Sequence, residues 1–236
     1  KVLEESLFHF HDSRSFSSFY LYALNKESNY IYTRRVQRSP KVSFMSKKIY
    51  KGARCIVCLS SSIENSVKNS FGKDTESIII PSASANFDYD SQKSLNIRQE
   101  IKQKFIVGHI GELDDSHKGQ LDIIELAKKA KSRELDIGFV MVGSGRDESM
   151  LKKESNSLDN VYFTGQVENI GDYLNAFDVF IFPSRHEGLG STLLDAMNFG
   201  LPIIARDVGG ISDIIDDGVN GYLVSEDNSD FFTPLI

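Results

Sequence analysis

Short apolar runs alternate along the chain with amphipathic stretches that repeat every three to four residues. The clearest helical repeat is Gln120–Ala130, where Leu121, Ile124 and Ala127 fall on one face. Strands that alternate with helices predict parallel sheets covered by helices, which is an α/β fold. The apolar runs predict nine strands: Leu7–His11, Tyr30–Thr33, Cys55–Leu59, Ser77–Ile80, Phe105–Ile110, Ile137–Val142, Val161–Phe163, Val179–Phe182 and Pro202–Ala205.

A change of charge divides the chain near Pro81. Residues 1–81 carry 13 basic and 7 acidic side chains, whereas residues 82–236 carry 14 basic and 26 acidic ones. The segment from Pro81 to Asn86 also has the composition of a connector. We therefore predict two doubly wound parallel-sheet domains, residues 1–81 and residues 82–236.

The overall composition is that of a water-soluble globular protein. The 236 residues are 40% hydrophobic and 25% charged, and only two are cysteines. No apolar run approaches the roughly 20 residues that a membrane-spanning helix needs. These features exclude a disulfide-rich scaffold and predict a cytoplasmic protein.

A basic segment interrupts this ordinary composition. No Asp or Glu occurs between Ser28 and Ile63, and the stretch Arg34–Arg54 holds eight Lys and Arg residues. Within it, Pro40–Lys51 predicts an amphipathic helix with Val42, Met45 and Ile49 on one face. Such a helix suits the anionic inner face of a membrane or a lipid-diphosphate acceptor, although a solvated basic face fits as well. The acidic second domain argues against a nucleic-acid partner.

The most informative segment runs from the strand Val179–Phe182 into a glycine-containing loop. A helix is predicted to begin near Gly190 or Ser191, and the N-terminus of a helix favours a phosphate. Glu187 and Asp195 lie on either side of this start, and a carboxylate can accept hydrogen bonds from both hydroxyls of a diol. The segment therefore predicts a ligand with phosphates and sugar hydroxyls. A capped helix with surface acids is the alternative.

A second strand, Phe105–Ile110, also leads through a loop to a helix. Lys118 stands just before the helix start, where a cation opposes the helix dipole. A bound phosphate explains this position better than helix stability does. The nearby run Val142–Arg146 lacks the third glycine of a dinucleotide fingerprint, because Glu148 occupies that position, and predicts a tight turn near a ligand.

Taken together, these segments resemble the GT-B glycosyltransferases of family 4, the group 1 enzymes that use nucleotide sugars. The resemblance is strongest between Val161 and Val224. It implies two Rossmann-like domains: residues 1–81 as the back half of an acceptor-side N-terminal domain, and residues 82–236 as a truncated C-terminal domain that binds the nucleotide sugar. The motifs that carry it are Tyr162-Phe163-Thr164-Gly165, Phe182-Pro183-Ser184, the Glu187–Asp195 spacing, Gly200-Leu201-Pro202-Ile203-Ile204-Ala205 and Asp207-Val208-Gly209-Gly210.

The resemblance also implies roles for individual residues. Glu187 would support the charge on the donor sugar, Asp195 would hold the ribose, and Lys118 would hold the diphosphate. His11 would face the transfer site, and Val167 would line the base pocket. Further donor-binding residues are implied in the two loops: Gly111, Gly188, Leu189, Gly190, Ser191 and Thr192.

Two departures from the family pattern concern the donor site. Asp195 replaces a Glu and has a shorter reach. Glu112 stands where many members carry an Arg, which removes one expected phosphate contact.

The activity implied is transfer of a sugar from a nucleotide-diphosphate donor to a hydroxyl on a saccharide or lipid-linked acceptor. Retention of configuration is implied, as is a pathway of polysaccharide, lipopolysaccharide or glycolipid synthesis, with no cofactor and no obligatory metal. A GT-B nucleotide-sugar epimerase and a non-catalytic nucleotide-sugar-binding module stay open as alternatives. We expect the chain to be an internal piece of a larger enzyme, with weak activity alone.

Overall fold

The computed structural model describes residues 6–12, 29–225 and 230–236. The chain forms two compact units. The first comprises Lys1–Ser82 together with Glu187–Leu189, and the second comprises Ala83–His186 and Gly190–Ile236. The change of charge at Pro81 therefore lies beside the division between the units.

The first unit contains a parallel sheet of four strands in the order β1-β2-β3-β4. Ile56 of β3 packs against Ile63 and Val67 of α2, and all three side chains are fully buried. Because Ile63 and Val67 are four residues apart, they form the apolar stripe by which α2 covers the sheet. The elements are β1 (Leu7–Phe10), β2 (Asn29–Arg34), α1 (Phe44–Gly52), β3 (Cys55–Cys58), α2 (Ser61–Phe71) and β4 (Ser77–Ile79).

The second unit contains a parallel sheet of six strands in the order β10-β9-β8-β5-β6-β7. Its strands are β5 (Phe105–Ile110), β6 (Ile137–Val142), β7 (Val161–Gly165), β8 (Val179–Phe182), β9 (Ile203–Arg206) and β10 (Tyr222–Val224). Its helices are α3 (Ser91–Glu100), α4 (Asp115–Lys118), α5 (Gln120–Ser132), α6 (Glu148–Glu154), α7 (Ile170–Ala176), α8 (Ser191–Asn198) and α9 (Phe232–Leu235), with a 3-10 turn at Ile211–Asp213.

Two hydrophobic cores flank the six-stranded sheet. Phe180 of β8 packs in one core with Leu193 of α8, and the next residue, Ile181, packs in the other core with Ile124 of α5. All four side chains are fully buried. Successive strand residues point to opposite faces, so helices cover both sides of the sheet. This is the doubly wound arrangement that the sequence predicts.

All nine predicted strands are present, with small shifts at their ends. Strand β7 continues to Gly165, and β9 begins at Ile203 rather than Pro202. The sequence pattern misses β10, Tyr222–Val224, because three residues are too few to show a period.

The basic helix predicted over Pro40–Lys51 begins later than expected. Ser43 and Ser46 form a reciprocal capping box that starts α1 at Phe44. Val42 therefore precedes the helix, and Ile49 is buried in the core of the first unit. The prediction that Val42, Met45 and Ile49 share one face for membrane contact is wrong.

Arg34 also differs from the sequence-based expectation of a basic surface. It is buried, and its guanidinium donates hydrogen bonds to the Tyr50 hydroxyl at 2.8 Å and to the Arg38 carbonyl. Burial raises the pKa of Tyr50 well above its ordinary value, so the hydroxyl stays protonated. The exposed part of the basic segment thus begins at Arg35.

Among the described residues, no helix has both the length and the apolar composition that crossing a bilayer requires.

Candidate functional site

The loops that follow β5 and β6 meet at the carboxyl edge of the six-stranded sheet. The Gly111 amide donates to the Val142 carbonyl at 3.0 Å. Gly143 has a φ of +133°, and a Cβ atom there would overlap the Gly111 carbonyl oxygen. The glycine-rich turn after β6 is therefore needed for close packing of two backbone segments.

A cavity of about 460 Å³ opens between these loops and the segment that follows β7. Gly111 and Val167, which the sequence places in the donor site, both line it, together with Glu112 and Gln166. Parallel α/β sheets bind ligands at this edge. The structure thus brings together two of the predicted site residues around one space.

Lys118 lies at the end of α4, one residue before the left-handed Gly119 and the start of α5. Its Nζ is 5.6 Å from the centroid of the Phe182 ring at the end of β8. Its Cδ would be 4.0 Å from a Cβ atom on Gly111. The lysine stem therefore lies beside Gly111, which lines the cavity, and its ammonium lies over the Phe182 ring at the carboxyl end of β8.

His109 lies beneath this edge and is fully buried. Its Nδ1 is 3.1 Å from the Ile181 carbonyl and its Nε2 is 3.4 Å from Gln120 Nε2, so we assign the proton to Nδ1. Burial, and to a smaller extent the nearby Lys118 charge, lowers the pKa of His109 to about 4. The imidazole is thus neutral near pH 7 and serves as an uncharged support below Lys118.

The loop between β8 and α8 carries the other predicted donor residues. Helix α8 begins at Ser191, as predicted, and Gly190 before it has a φ of +81°. Gly190 has no side chain that could cap the first-turn amides of Ser191 and Thr192. An anion bound at this helix start could therefore accept hydrogen bonds from these amides. Asp195, one turn into α8, accepts a hydrogen bond from the Ala85 amide at 2.6 Å.

Not all candidates belong to the same unit. Lys118, Gly111, Val167, Gly190, Ser191, Thr192 and Asp195 lie in the second unit. Glu187, Gly188 and Leu189 are grouped with the first unit, and Glu187 is half-buried.

His11, the remaining candidate, lies in the first unit just after β1 and is exposed. Its ring centroid is 4.0 Å from that of His9, whose Nε2 is 2.7 Å from Thr33 Oγ1. Burial and the neighbouring His11 both lower the pKa of His9. The adjacent His11 therefore disfavours protonation of His9.

The sequence analysis did not identify a cluster of charged side chains in the second unit. The cluster joins the starts of α4 and α5 to the loop after β8 and to the end of β9. Asp122 Oδ2 is 2.7 Å from Arg206 Nη2 and 3.3 Å from Arg185 Nη2. Arg185 Nη2 also lies 3.8 Å from Asp115 Oδ2. Only the positions of these four residues in the sequence could have indicated the cluster, because each lies at or just after the carboxyl end of a strand or in the first turn of a helix.

Comparison with known proteins gives a family match. The model of the family described as "Glycosyl transferases group 1" matches residues 104–235. An uncharacterised glycosyltransferase of Methanocaldococcus jannaschii is 31% identical over 197 residues, which are 78% of this chain and 48% of that protein. The capsular polysaccharide biosynthesis glycosyltransferase CapM of Staphylococcus aureus is 24% identical over 184 residues, 72% of this chain and 48% of that protein. The chain thus spans about half the length of these curated relatives.

Solved structures show the same fold. Anabaena Alr3699/HepE in complex with UDP has a TM-score of 0.80 at 19% identity, over 94% of this chain and 66% of that one. Sucrose-phosphate synthase from Thermosynechococcus elongatus has a TM-score of 0.78 at 21% identity, over 97% of this chain and 62% of that one. These similarities confirm the predicted GT-B fold.

Proposed function

Because the chain belongs to the group 1 glycosyltransferase family, we propose that it binds the donor in an enzyme that moves a sugar from a nucleotide diphosphate to a hydroxyl group. The observation that carries this proposal is the placement of Lys118 beside the cavity lined by Gly111 and Val167. A cation next to a glycine-lined cavity at a strand edge suits a nucleotide with a charged diphosphate.

In this proposal Lys118 and the first-turn amides of α8 bind the diphosphate. When the bond to the sugar breaks, negative charge grows on the diphosphate, and a fixed ammonium and fixed N–H groups stabilise it. The uncharged His109 below Lys118 supports this role, because it adds no second positive charge that would repel the ammonium. Glu112 replaces the Arg that many members carry, so Lys118 would supply a larger share of the charge.

We assign the base to the cavity near Val167 and the ribose to Asp195. An ionised carboxylate accepts hydrogen bonds from adjacent hydroxyls, and such charge-assisted bonds are stronger than neutral ones. The UDP bound to Anabaena Alr3699/HepE supports a nucleoside diphosphate as the first ligand to try.

Glu187 would stabilise positive charge on the sugar ring as the bond breaks, and His11 would lie on the acceptor side. Retention of configuration and a mechanism without a metal ion belong to this proposal as family expectations. The sequence Asp88-Tyr89-Asp90 has the letters of a metal-binding DxD motif, but Asp90 caps α3 by accepting hydrogen bonds from the amides of Gln92 and Lys93.

We further propose a saccharide or lipid-linked acceptor and a role in polysaccharide or glycolipid synthesis. The capsular polysaccharide role of CapM supports this pathway. The exposed basic and apolar residues around α1 would place the enzyme at an anionic membrane surface, with the active site in the cytoplasm.

The test is sugar transfer by the full-length protein, measured as release of nucleoside diphosphate from UDP-, GDP- and ADP-sugars with and without saccharide acceptors. We expect the E187A variant to lose activity by about 10²-fold, and an exposed control, K128A, to keep it. Wild-type rates in E187A would contradict the assignment. Conversion of the donor sugar without an acceptor would indicate an epimerase, and binding without any turnover would indicate a non-catalytic module.

A further inference from the structure

Three charged side chains of the second unit form a compact cluster next to Lys118. Arg206, the last residue of β9, is buried, with only 3% of its side chain exposed. Its Nη2 lies 2.7 Å from Oδ2 of Asp122, in the first turn of α5. Arg185, in the loop after β8, approaches the same oxygen at 3.3 Å. One carboxylate of α5 thus joins the end of β9 to the loop after β8.

A buried ion pair of this kind is weak evidence for a role in stability. Removing a guanidinium from water is costly, and an apolar pair of the same size often stabilises a fold equally well. In some proteins a buried pair instead specifies a defined geometry.

The turn that carries Lys118 packs against the loop after β8, which includes Arg185 of the cluster and which Arg206 also contacts. The Arg185 amide donates to the His117 carbonyl at 2.8 Å, directly before Lys118. Directly after it, Gly119 has a φ of +69° and lies so close to the Pro183 carbonyl that a Cβ atom would overlap it. Arg206 Nε donates to that same Pro183 carbonyl at 3.3 Å.

The far side of the turn is held by a second carboxylate. Asp115 Oδ1 accepts from the Leu121 amide at 2.7 Å, which caps the start of α5. Asp115 Oδ2 lies 3.8 Å from Arg185 Nη2. The backbone on each side of Lys118 is therefore tied to the loop after β8, either directly or through Asp115.

We propose that Asp122, Arg206 and Arg185 form a positioning cluster that holds Lys118 in place to bind the diphosphate of the donor. Asp122 and Asp115 together balance the charges of the two guanidinium groups, which are directed to these carboxylates and to backbone carbonyls, and Lys118 is the cation that binds the diphosphate. The cluster makes the β5 and β8 loops one rigid frame. The diphosphate ligand in this proposal comes from the proposed function. The restraint of the Lys118 turn does not depend on any ligand.

The test compares two matched pairs of substitutions. D122N/R206Q removes both charges of the Asp122–Arg206 pair, so that neither is left buried without a partner, and Arg185 keeps Asp115 at 3.8 Å. R98Q/D178N removes a similar pair at the opposite edge of the same sheet, where Arg98 Nη2 lies 3.0 Å from Asp178 Oδ2 and Asp178 accepts from the Ile106 amide. R206K serves as a conservative variant that keeps the charge and loses the planar fork.

Two quantities are measured on each variant: amide hydrogen exchange at Gly119 and Leu121, and the Kd for UDP. In D122N/R206Q we expect exchange at these amides to accelerate about tenfold and the Kd to rise about tenfold, with a smaller effect in R206K. In R98Q/D178N we expect the amide exchange rates and the Kd for UDP to match wild type, even if this variant melts at a lower temperature.

The outcomes separate the two proposals. Unchanged exchange at Gly119 and Leu121 in D122N/R206Q would overturn the positioning role, whatever UDP does. Faster exchange with an unchanged Kd would show that the cluster holds the turn without serving the ligand, which also overturns it. Faster exchange in a protein whose wild type binds none of UDP, GDP and ADP would contradict the proposed function and leave the holding of the turn established.

Discussion

Asp195 Oδ1 accepts a hydrogen bond from the backbone amide of Ala85, with 2.6 Å between oxygen and nitrogen. The bond ties α8 to the segment that precedes α3, within the second unit. An ionised carboxylate has about four lone-pair positions, so this bond leaves capacity to accept from a ribose hydroxyl. The residue assigned to the ribose is thus also held by the main chain.

This double role predicts a difference between two substitutions of Asp195. D195N keeps an oxygen that can accept from Ala85 and loses the charge, so stability should change little while the Kd for UDP rises about 3- to 10-fold. D195A should raise the Kd as well and lower the free energy of unfolding by about 1–2 kcal/mol. Calorimetric titration and urea unfolding measure the two effects, and UDP binding by D195N as tight as in wild type would remove Asp195 from the ribose site.

The neutral, buried His109 predicts sensitivity to acid. Its pKa is lowered to about 4 from an ordinary 6.5, so the unfolded chain binds the proton more readily than the folded one. The contribution of neutral His109 to the free energy of unfolding is therefore fully present above pH 6.5. It decreases as the pH falls from 6.5 toward 4, by at most about 1.4 kcal/mol per pH unit.

The H109N variant isolates this effect, because its amide can still donate to the Ile181 carbonyl. Urea unfolding between pH 7 and pH 4 should show a shallower loss of stability in H109N than in wild type. H186Q, which removes an exposed histidine, is the control and should follow wild type. An acid dependence in H109N as steep as that of wild type would refute the assignment.

Gly143 should tolerate no side chain, because its Cβ would overlap the Gly111 carbonyl in addition to straining the backbone. G143A should lower the free energy of unfolding by about 3 kcal/mol or more and weaken UDP binding by separating the β5 and β6 loops. The matched control is G218A, where φ is +74° but nothing lies within 4 Å, so only about 1–2 kcal/mol is expected. Equal losses in the two variants would show that the close approach of the loops is unimportant.

The surface around α1 predicts binding to anionic membranes. Phe44 is 78% exposed, with Lys48 Nζ 5.0 Å from its ring centroid, and Met45 is 49% exposed. Sedimentation with phosphatidylglycerol-containing vesicles should decrease with added salt, and K47A/K48A should weaken it about 30-fold, at roughly 1 kcal/mol per Lys. K129A/K131A, which removes the same charge from α5, should have little effect. Sedimentation that is indifferent to lipid charge and to salt would exclude this surface.

The fold could be predicted from the sequence because its strands are buried and its helices are amphipathic. Phe180 and Ile181 are both apolar since both faces of the sheet are covered, which gives the continuous apolar run of a parallel strand. The start of α1 could not be predicted, because a serine capping box and not the apolar period determines it. Strand β10 is defined only by its pairing with β9.

Features of the candidate site could be predicted where one local segment determines the structure. Gly190 and Ser191 mark a helix start in the sequence, and Lys118 is conspicuous because it stands before one. The Asp122 and Arg206 contact joins residues 84 positions apart, and the Asp195 bond joins residues 110 apart. Such contacts depend on the order of strands in the sheet, which hydrophobic periodicity does not encode.

The measurement that tests the central claim most directly is a titration of this chain with UDP, GDP and ADP and their sugars, followed by ligand-observed NMR, for wild type, K118A and K128A. Lys128 is an exposed lysine on α5 that pairs with Glu125, so it controls for the lost charge. We predict that one nucleotide class binds wild type and K128A, and that K118A weakens binding at least tenfold. Equal binding by K118A and wild type would contradict the donor site described here.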